Sequence, residues 1–157
     1  MNIFVLDKNI ERCAEYHCDR HVVKMILESA QILCTALHKN GMDVPYKPTH
    51  PHHPSILWTE KSYANFKWLS SLALALNEEY RFRFKTDRDH RSAEVVRAIQ
   101  KFSFPDIGLT EYAQTMPEQY RVPGDAVAAY RAYYRAEKAS FASWTKRPVP
   151  GWFKISS

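Results

Sequence analysis

The chain has 157 residues, of which 45% are hydrophobic and 25% charged, and its formal net charge is +5. This length and composition suit one globular domain, exclude a mainly disordered chain and, with only four glycines, argue against a turn-rich β-barrel. No run approaches 18 consecutive apolar residues and the start MNIFVLDKNIER lacks a signal-peptide pattern, so we expect no membrane segment and a cytoplasmic location.

The first forty residues predict two helices. Residues 2–6 are a short apolar start, and Asp7 or Asn9 can cap a first helix that runs toward Tyr16. Asp19 is the predicted cap of a second helix, which ends at the Asn40-Gly41 pair. The evidence for the second helix is an apolar repeat at helical spacing, namely Val22, Ile26, Ala30, Leu33 and Leu37.

The rest of the chain also has helical periodicity, with one long interruption. Residues 43–54 hold four prolines and three histidines, which predicts an irregular surface loop. Helices are then expected over about 55–84, 88–102 and 125–144, the last capped by Asp125, before an irregular basic aromatic tail at 145–157. The prediction is therefore a single all-α domain over 1–157, with four to five helices and long irregular loops.

The positive charge is concentrated at the C-terminal end. Residues 121–157 hold seven basic and two acidic side chains, whereas residues 1–120 are balanced. Tyrosine, tryptophan and phenylalanine side chains are interleaved with these cations, a pattern typical of surfaces that bind a phosphate backbone and stack on bases. The alternative is a solvated helix face with core aromatics. The DNA-binding candidates of this segment are Arg131, Arg135, Lys138, Arg147, Trp152, Phe153 and Lys154.

A first polar cluster lies at the predicted start of the second helix. Asp19, Arg20, His21 and Lys24 lie within about two turns, where a carboxylate can orient a base and exposed amides favour a phosphate. The alternative is that Asp19 only caps the helix while His21 and Lys24 are solvated. The three cysteines, Cys13, Cys18 and Cys34, lack zinc-site or disulfide spacing, so we predict reduced thiols and no metal.

A second polar cluster occupies the proline-rich loop. Lys47, His50 and His53, followed by Trp58, could contact DNA phosphates or supply an acid or base near neutral pH, and one of these histidines is expected to face the active cleft. The alternative is an exposed loop that leads into a helix. The sequence has no phosphate-binding glycine loop, GxGxxG motif, nucleophile elbow or deaminase motif, so no cofactor is predicted.

Several short motifs occur in the same order as in a known family. The chain resembles the phage pyrimidine-dimer DNA glycosylases (the endonuclease V family), and it also resembles uncharacterised small proteins of tailed phages. The resemblance covers nearly the whole chain and is carried by residues 2–6, 14–16, 40–41, 52–53, 80–82, 116–120, 136–138, 147–148 and 152–154.

The resemblance implies an all-helical enzyme that binds duplex DNA, extrudes a nucleotide and cleaves the N-glycosidic bond through an amine that forms a Schiff base. It places the family's catalytic acid at Asp19, one residue later than an ungapped match, which falls on Cys18. It places DNA-binding groups at His21 or Lys24, and, in the C-terminal segment, at Lys138, Trp152, Phe153 and Lys154.

The sequence departs from the family at the nucleophile. The family uses the α-amine of a small second residue exposed by removal of the initiator methionine, and α-amines ordinarily titrate near pH 8. Here residue 2 is Asn2, which is bulky enough to retain Met1. Three alternatives remain: the Met1 amine serves, Lys24 replaces it with a lowered pKa, or no lyase step exists and Asp19 activates water.

The leading hypothesis is a DNA base-excision enzyme, an N-glycosylase with or without AP-lyase activity, that acts as a monomer on double-stranded DNA in a phage-infected or prophage-bearing bacterium. Its predicted catalytic residues are Met1, Asp19, His21 and Lys24. The alternatives are a non-catalytic nucleic-acid-binding protein, or a nuclease or phosphodiesterase that uses His21 and His53 as acid and base.

Overall fold

The first helix follows an extended apolar segment, residues 3–6, whose side chains are at most 5% exposed. In the computed structural model, which describes residues 1–154, α1 spans Ile10–Tyr16. Asn9 is the cap, because its side chain accepts the Arg12 N–H, and Asp7 in turn accepts the Asn9 N–H at 2.8 Å. Both candidate cap residues therefore stabilise this helix start, and the predicted end near Tyr16 is confirmed.

The second helix, α2, spans Asp19–Lys39 and its N-cap is Cys18, so the prediction that Asp19 caps it is wrong by one residue. Asp19 is the first helical residue, and its carboxylate bonds to other parts of the chain. The predicted apolar stripe is fully buried. The helix ends before Gly41, whose φ of 85° is a left-handed conformation that glycine adopts without steric cost.

The long helix predicted over 55–84 is two helices, α3 at Pro54–Lys61 and α4 at Tyr63–Arg83. Ser62 between them is extended, with φ −153° and ψ 141°. Its hydroxyl donates to the Asp106 carboxylate at 2.9 Å, and the Tyr63 N–H donates to the Pro105 carbonyl at 3.1 Å. A distant loop therefore supplies the hydrogen bonds that interrupt the helix, which periodicity within the segment cannot reveal.

The two remaining helices are shorter than predicted. Helix α5 spans Arg91–Ala98, because His90 caps it through the Ser92 N–H, and a 3₁₀ turn at Ile99–Lys101 follows. A second 3₁₀ turn occupies Glu118–Tyr120. Helix α6 spans Ala126–Glu137 with Asp125 as its predicted cap, and it ends seven residues before Trp144.

The architecture is built on the contact between α2 and α4, with α1, α3 and α5 around them. Helix α6 packs through Tyr130 and Tyr134 against Phe4 of the extended N-terminal segment. The prediction of one all-α domain is confirmed for residues 1–154, with six α-helices because the long helix is divided. Residues 43–53 are irregular as predicted. Of the predicted tail, 155–157 lie outside the described residues.

Within residues 1–154 no helix has the length and apolar character needed to cross a membrane.

Candidate active site

The α-amino group of Met1 lies beside a carboxylate of α2. The amine nitrogen is 3.3 Å from Glu28 Oε1, and the Asn2 N–H donates to the same oxygen at 3.2 Å. Lys24, one turn earlier on α2, places its Nζ 3.5 Å from Glu28 Oε2. The Met1 and Glu28 side chains are only 8% and 12% exposed. An amine and a proton acceptor are thus adjacent in a partly desolvated position.

Residue 2 anchors the chain at this point. The Asn2 side chain is 9% exposed, and its Oδ1 accepts the Tyr130 hydroxyl at 2.8 Å and the Ile3 N–H at 2.8 Å. Its Nδ2 donates to the Thr115 carbonyl at 2.8 Å. The position of the terminal amine is therefore determined by contacts from α6 and from the segment around residue 115.

Met1 and Glu28 line a cleft of about 1030 Å³ between α2, the proline-rich loop and the start of α5. Its walls carry the cations Lys24, Lys47 and Arg91 and a single carboxylate, Glu28. The cleft is therefore positively charged, as an anionic ligand requires. Its other walls include Leu27, Gln31, Tyr46, His50, His90 and Ser92.

Two of the predicted histidines lie at or near this cleft. His50 lines it and has a φ of 47°, an uncommon backbone conformation for a residue other than glycine. His53 caps α3, because its Nδ1 accepts the Ser55 N–H at 3.1 Å, so the neutral ring carries its proton on Nε2. Burial lowers the pKa of His53, and the charges of the Met1 amine and His50 lower this pKa further.

Asp19 lies in a different environment. Its oxygens accept hydrogen bonds from the Thr145 hydroxyl at 2.6 Å, the Ser143 hydroxyl at 3.1 Å and Arg83 Nη1 at 3.1 Å. Burial raises the pKa of the Asp19 carboxyl, but these hydrogen bonds outweigh burial and hold the pKa below its ordinary value. The carboxylate therefore joins α2, α4 and the C-terminal segment.

His21 is 4% exposed and belongs to an aromatic cluster. Its ring stacks on Phe4 at 4.4 Å between centroids, and its Nδ1 is 2.7 Å from the Tyr134 hydroxyl. Burial lowers the pKa of His21 to about 3, and the nearby charges of Lys138, Lys24 and other cations act in the same direction. The ring is thus neutral at physiological pH and already hydrogen-bonded within the protein.

Two predicted DNA-binding cations cover this cluster. The Arg20 guanidinium is exposed and stacks 4.1 Å above the Phe141 ring, and Lys138 Nζ lies 4.8 Å from the Tyr133 ring centroid. The ion pairs within residues 1–154 involve neither of them, nor Lys47 or Arg91 in the cleft. These four cations therefore keep their charge available for a ligand.

Most of the DNA-binding residues predicted in the C-terminal segment, residues 121–157, make internal contacts instead. Arg131 bonds to the Asp7 carboxylate at 3.0 Å, and Arg147 bonds to Glu79 at 2.7 Å. Arg135 donates to the Trp152 carbonyl, and the Trp152 ring packs on Tyr16 and Tyr134. Phe153 packs on Trp144 at 4.8 Å. Lys154 is exposed. The C-terminal segment, residues 121–154, therefore packs the end of the chain against α1, α4 and α6.

Trp58 also lies inside the protein, at 5% exposure, where its ring stacks on Tyr112 and meets Trp68 edge-on.

The structure thus brings together Met1, Lys24, Lys47 and His50, and places Asp19 elsewhere. Glu28 follows Asp19 by nine positions on α2, a rise of about 13.5 Å along the helix axis. Glu28 was not among the predicted site residues. The available signal was its i, i+4 spacing from Lys24, which puts both on one helix face, but nothing in the sequence indicated that the chain start would lie against that face.

A second groove, of about 980 Å³, lies between α1 and α4. Its floor includes Trp68, Leu74 and Tyr112, and on its rim Arg147 is paired with Glu15 and Glu79.

Among residues 1–154, no three His, Cys, Asp or Glu side chains are arranged to hold a metal ion. Cys13, Cys18 and Cys34 are buried free thiols. Comparison with known proteins finds no matching family model, no matching curated protein and no matching solved structure.

Proposed function

We propose that this protein is a DNA base-excision enzyme, an N-glycosylase with AP-lyase activity, whose nucleophile is the α-amine of Met1 and whose proton acceptor is Glu28. The single observation that carries the proposal is the amine held 3.3 Å from the Glu28 carboxylate at an open, positively charged cleft. The resemblance to pyrimidine-dimer DNA glycosylases suggests the same chemistry. In this proposal Glu28 takes the acid–base role expected of Asp19, because the Asp19 oxygens are already bonded to Thr145, Ser143 and Arg83.

The reaction follows from amine chemistry. The amine, after giving a proton to Glu28, attacks C1′ of the deoxyribose, and the C1′–N bond to the base breaks as the base leaves with a proton. The ring oxygen O4′ then leaves C1′ as a hydroxyl, taking through Glu28 a proton from the same nitrogen, and a protonated imine forms between the Met1 nitrogen and C1′. Loss of the C2′ proton then expels the 3′ phosphate, and addition of water to the imine releases the sugar aldehyde and regenerates the amine. The imine serves as the electron sink, so the reaction needs no cofactor.

DNA would be held by the four cations named above, which form no ion pair within residues 1–154. Lys47 and Arg91 flank the cleft, while Arg20 and Lys138 lie near the start of α2. Arg20 is one helical turn from Lys24, so phosphates bound along α2 would lead a strand past the amine. We propose double-stranded DNA as the partner, monomeric action and the cytoplasm of a phage-infected or prophage-bearing bacterium as the location.

The test is reductive trapping with borohydride on a duplex that contains one abasic site. Wild-type protein should form a covalent adduct, and peptide mapping by mass spectrometry should locate it on the Met1 nitrogen. A matched control duplex with a reduced abasic site, which lacks the aldehyde, should give no adduct. An adduct on Lys24 would transfer the nucleophile to that residue. DNA binding without any adduct would favour the non-catalytic binding protein and overturn the lyase proposal.

A His21–His53 nuclease receives no comparable support. His21 is buried, neutral and bonded to Tyr134, and it lies seven positions before Glu28 on α2.

A further inference from the structure

We propose that Asn2 and Tyr130 are positioning residues that hold the Met1 amine at Glu28, so that this protein uses a retained methionine where the resembled family uses a small second residue. The inference rests on the proposed function and deepens it. It gives residue 2 a role: Asn2 holds the chain start in place and so fixes the position of the Met1 amine.

Both polar atoms of the Asn2 side-chain amide form hydrogen bonds. Oδ1 accepts from the Tyr130 hydroxyl and from the Ile3 N–H, each at 2.8 Å, and Nδ2 donates to the Thr115 carbonyl at 2.8 Å. A flipped amide would aim its NH₂ group at the Ile3 N–H, so the network determines the orientation. The Asn2 N–H also donates to Glu28 Oε1, which makes the residue a bridge between α2 and the segment around residue 115.

Tyr130 ties this bridge to α6. It is fully buried, and its hydroxyl accepts the Thr115 N–H at 3.1 Å while facing two acceptors, Asn2 Oδ1 at 2.8 Å and the Ala113 carbonyl at 3.0 Å. A hydroxyl has one proton, so it donates to one of them at a time. Burial raises the pKa of Tyr130 to about 12, so the group remains a donor throughout the range in which the reaction would run.

The register of the chain start follows from this anchor. With Asn2 held in place, its own N–H and the Met1 amine both lie at Glu28 Oε1, and an extended residue spans about 3.5 Å. Addition of one residue before Met1 would move the terminal amine by about that distance, beyond contact with the carboxylate. A displacement of about 1 Å can already lower a positioned reaction about 100-fold.

The experiment compares Tyr130→Phe with wild-type protein in single-turnover borohydride trapping on the abasic duplex. Tyr130→Phe should lower the trapping rate at saturating DNA at least tenfold and leave the half-saturating DNA concentration unchanged, because the cations that bind DNA are not altered. Asn2→Leu, which keeps a bulky residue 2, should show the same pattern, with intact mass confirming that Met1 is retained.

Tyr134→Phe is the matched control. Tyr134 is an equally buried tyrosine on α6 whose hydroxyl contacts His21 and Cys18 and does not contact Asn2. It should lower the melting temperature about as much as Tyr130→Phe but keep the wild-type trapping rate. Amide exchange of Ile3 by NMR should accelerate in Tyr130→Phe only.

The outcomes separate the two proposals. Equal trapping rates in wild type and Tyr130→Phe would overturn the positioning role and leave the proposed function standing. A parallel fall in Tyr134→Phe would also overturn it, because it would show a general effect of a weakened core. Absence of trapping in the wild type would overturn the proposed function itself.

Discussion

The helix α2 carries two carboxylates in contrasting surroundings, Asp19 at its start and Glu28 in its middle. Asp19 receives hydrogen bonds from the protein's own Thr145, Ser143 and Arg83, and so closes the C-terminal segment onto the core. Glu28 contacts the Met1 amine and Lys24 Nζ and accepts the Asn2 N–H. Met1 and Glu28 both line the cleft.

The contrast shows how a carboxylate in a polar cluster acquires its role. Around Asp19 the donors belong to the fold itself, and Arg83 is fully buried and pairs with Asp19 and Glu79, so loss of the Asp19 carboxylate would leave that charge with one carboxylate instead of two. Around Glu28 the principal partner is a group that can exchange its proton and react. Predictions that separate the two carboxylates therefore test whether the first is structural and the second chemical.

The largest effect is expected for Glu28→Gln. The amide cannot accept the proton of the attacking amine, so the trapping rate on the abasic duplex should fall about 100-fold or more, the usual contribution of a positioned acid or base. Its volume is unchanged, so the melting temperature should move little. The measurement is single-turnover trapping beside a thermal scan, and a Glu28→Gln variant with the wild-type rate would remove Glu28 from the mechanism.

Asp19→Asn should show the reverse pattern. The amide removes one of the two carboxylate charges that pair with buried Arg83, at a cost of about 2 kcal/mol, which lowers the melting temperature by about 5 °C in a domain of this size. Trapping per folded molecule should stay within about twofold of wild type. Calorimetry and trapping below the transition provide the comparison. Loss of trapping with unchanged melting would restore Asp19 as the catalytic acid.

Acid should weaken the Asp19 side of the comparison. Burial raises the pKa of Glu79, but hydrogen bonds from Arg147 and Arg83 outweigh it, so the pKa values of Asp19 and Glu79 both lie below the ordinary 3.8 and 4.5. Groups with lowered folded-state pKa values stabilise the fold above their unfolded values, and this stability is lost as pH falls through the folded values. The melting temperature should therefore drop on going from pH 5 to pH 3.

The Glu79→Gln variant is the control for this acid effect. It should already be less stable at pH 7 and should lose less on acidification than wild type, because one of the two titrating groups is gone. Equal losses in both proteins would show that other carboxyls cause the acid transition.

The smallest effect concerns the cations. Lys47→Ala should weaken DNA binding a few-fold and reduce the slope of log affinity against log salt by about 0.9, the value for one lost phosphate contact. Arg131→Ala also removes one positive charge, but from the C-terminal segment, where Arg131 is paired with Asp7. It should lower the melting temperature and leave the salt slope nearly unchanged. DNA-binding titrations at several salt concentrations measure both slopes. A reduced slope in Arg131→Ala with an unchanged slope in Lys47→Ala would assign DNA binding to the C-terminal segment.

Within the site, the sequence indicated types of residue better than their arrangement. The chemistry of Met1, Lys24, Lys47 and His50 predicts them as site residues, and they lie at one cleft. The basic C-terminal segment was predicted to bind DNA, yet Arg131 and Arg147 are paired with carboxylates far away in the chain. Charge counting cannot distinguish a cation that faces solvent from one paired across the fold, because the partner is selected by tertiary packing.

The sequence by itself determined the all-α class, the end of α1, the Asp125 cap and the buried stripe of α2, because capping and helical periodicity are local properties. Only the tertiary structure decided the break at Ser62, where the hydrogen bonds come from residues 105 and 106. It alone also placed Glu28 against the chain start, since Asn2 is held by Tyr130, a side chain 128 residues away along the chain. Contacts at such separations depend on how whole helices pack, which no local pattern encodes.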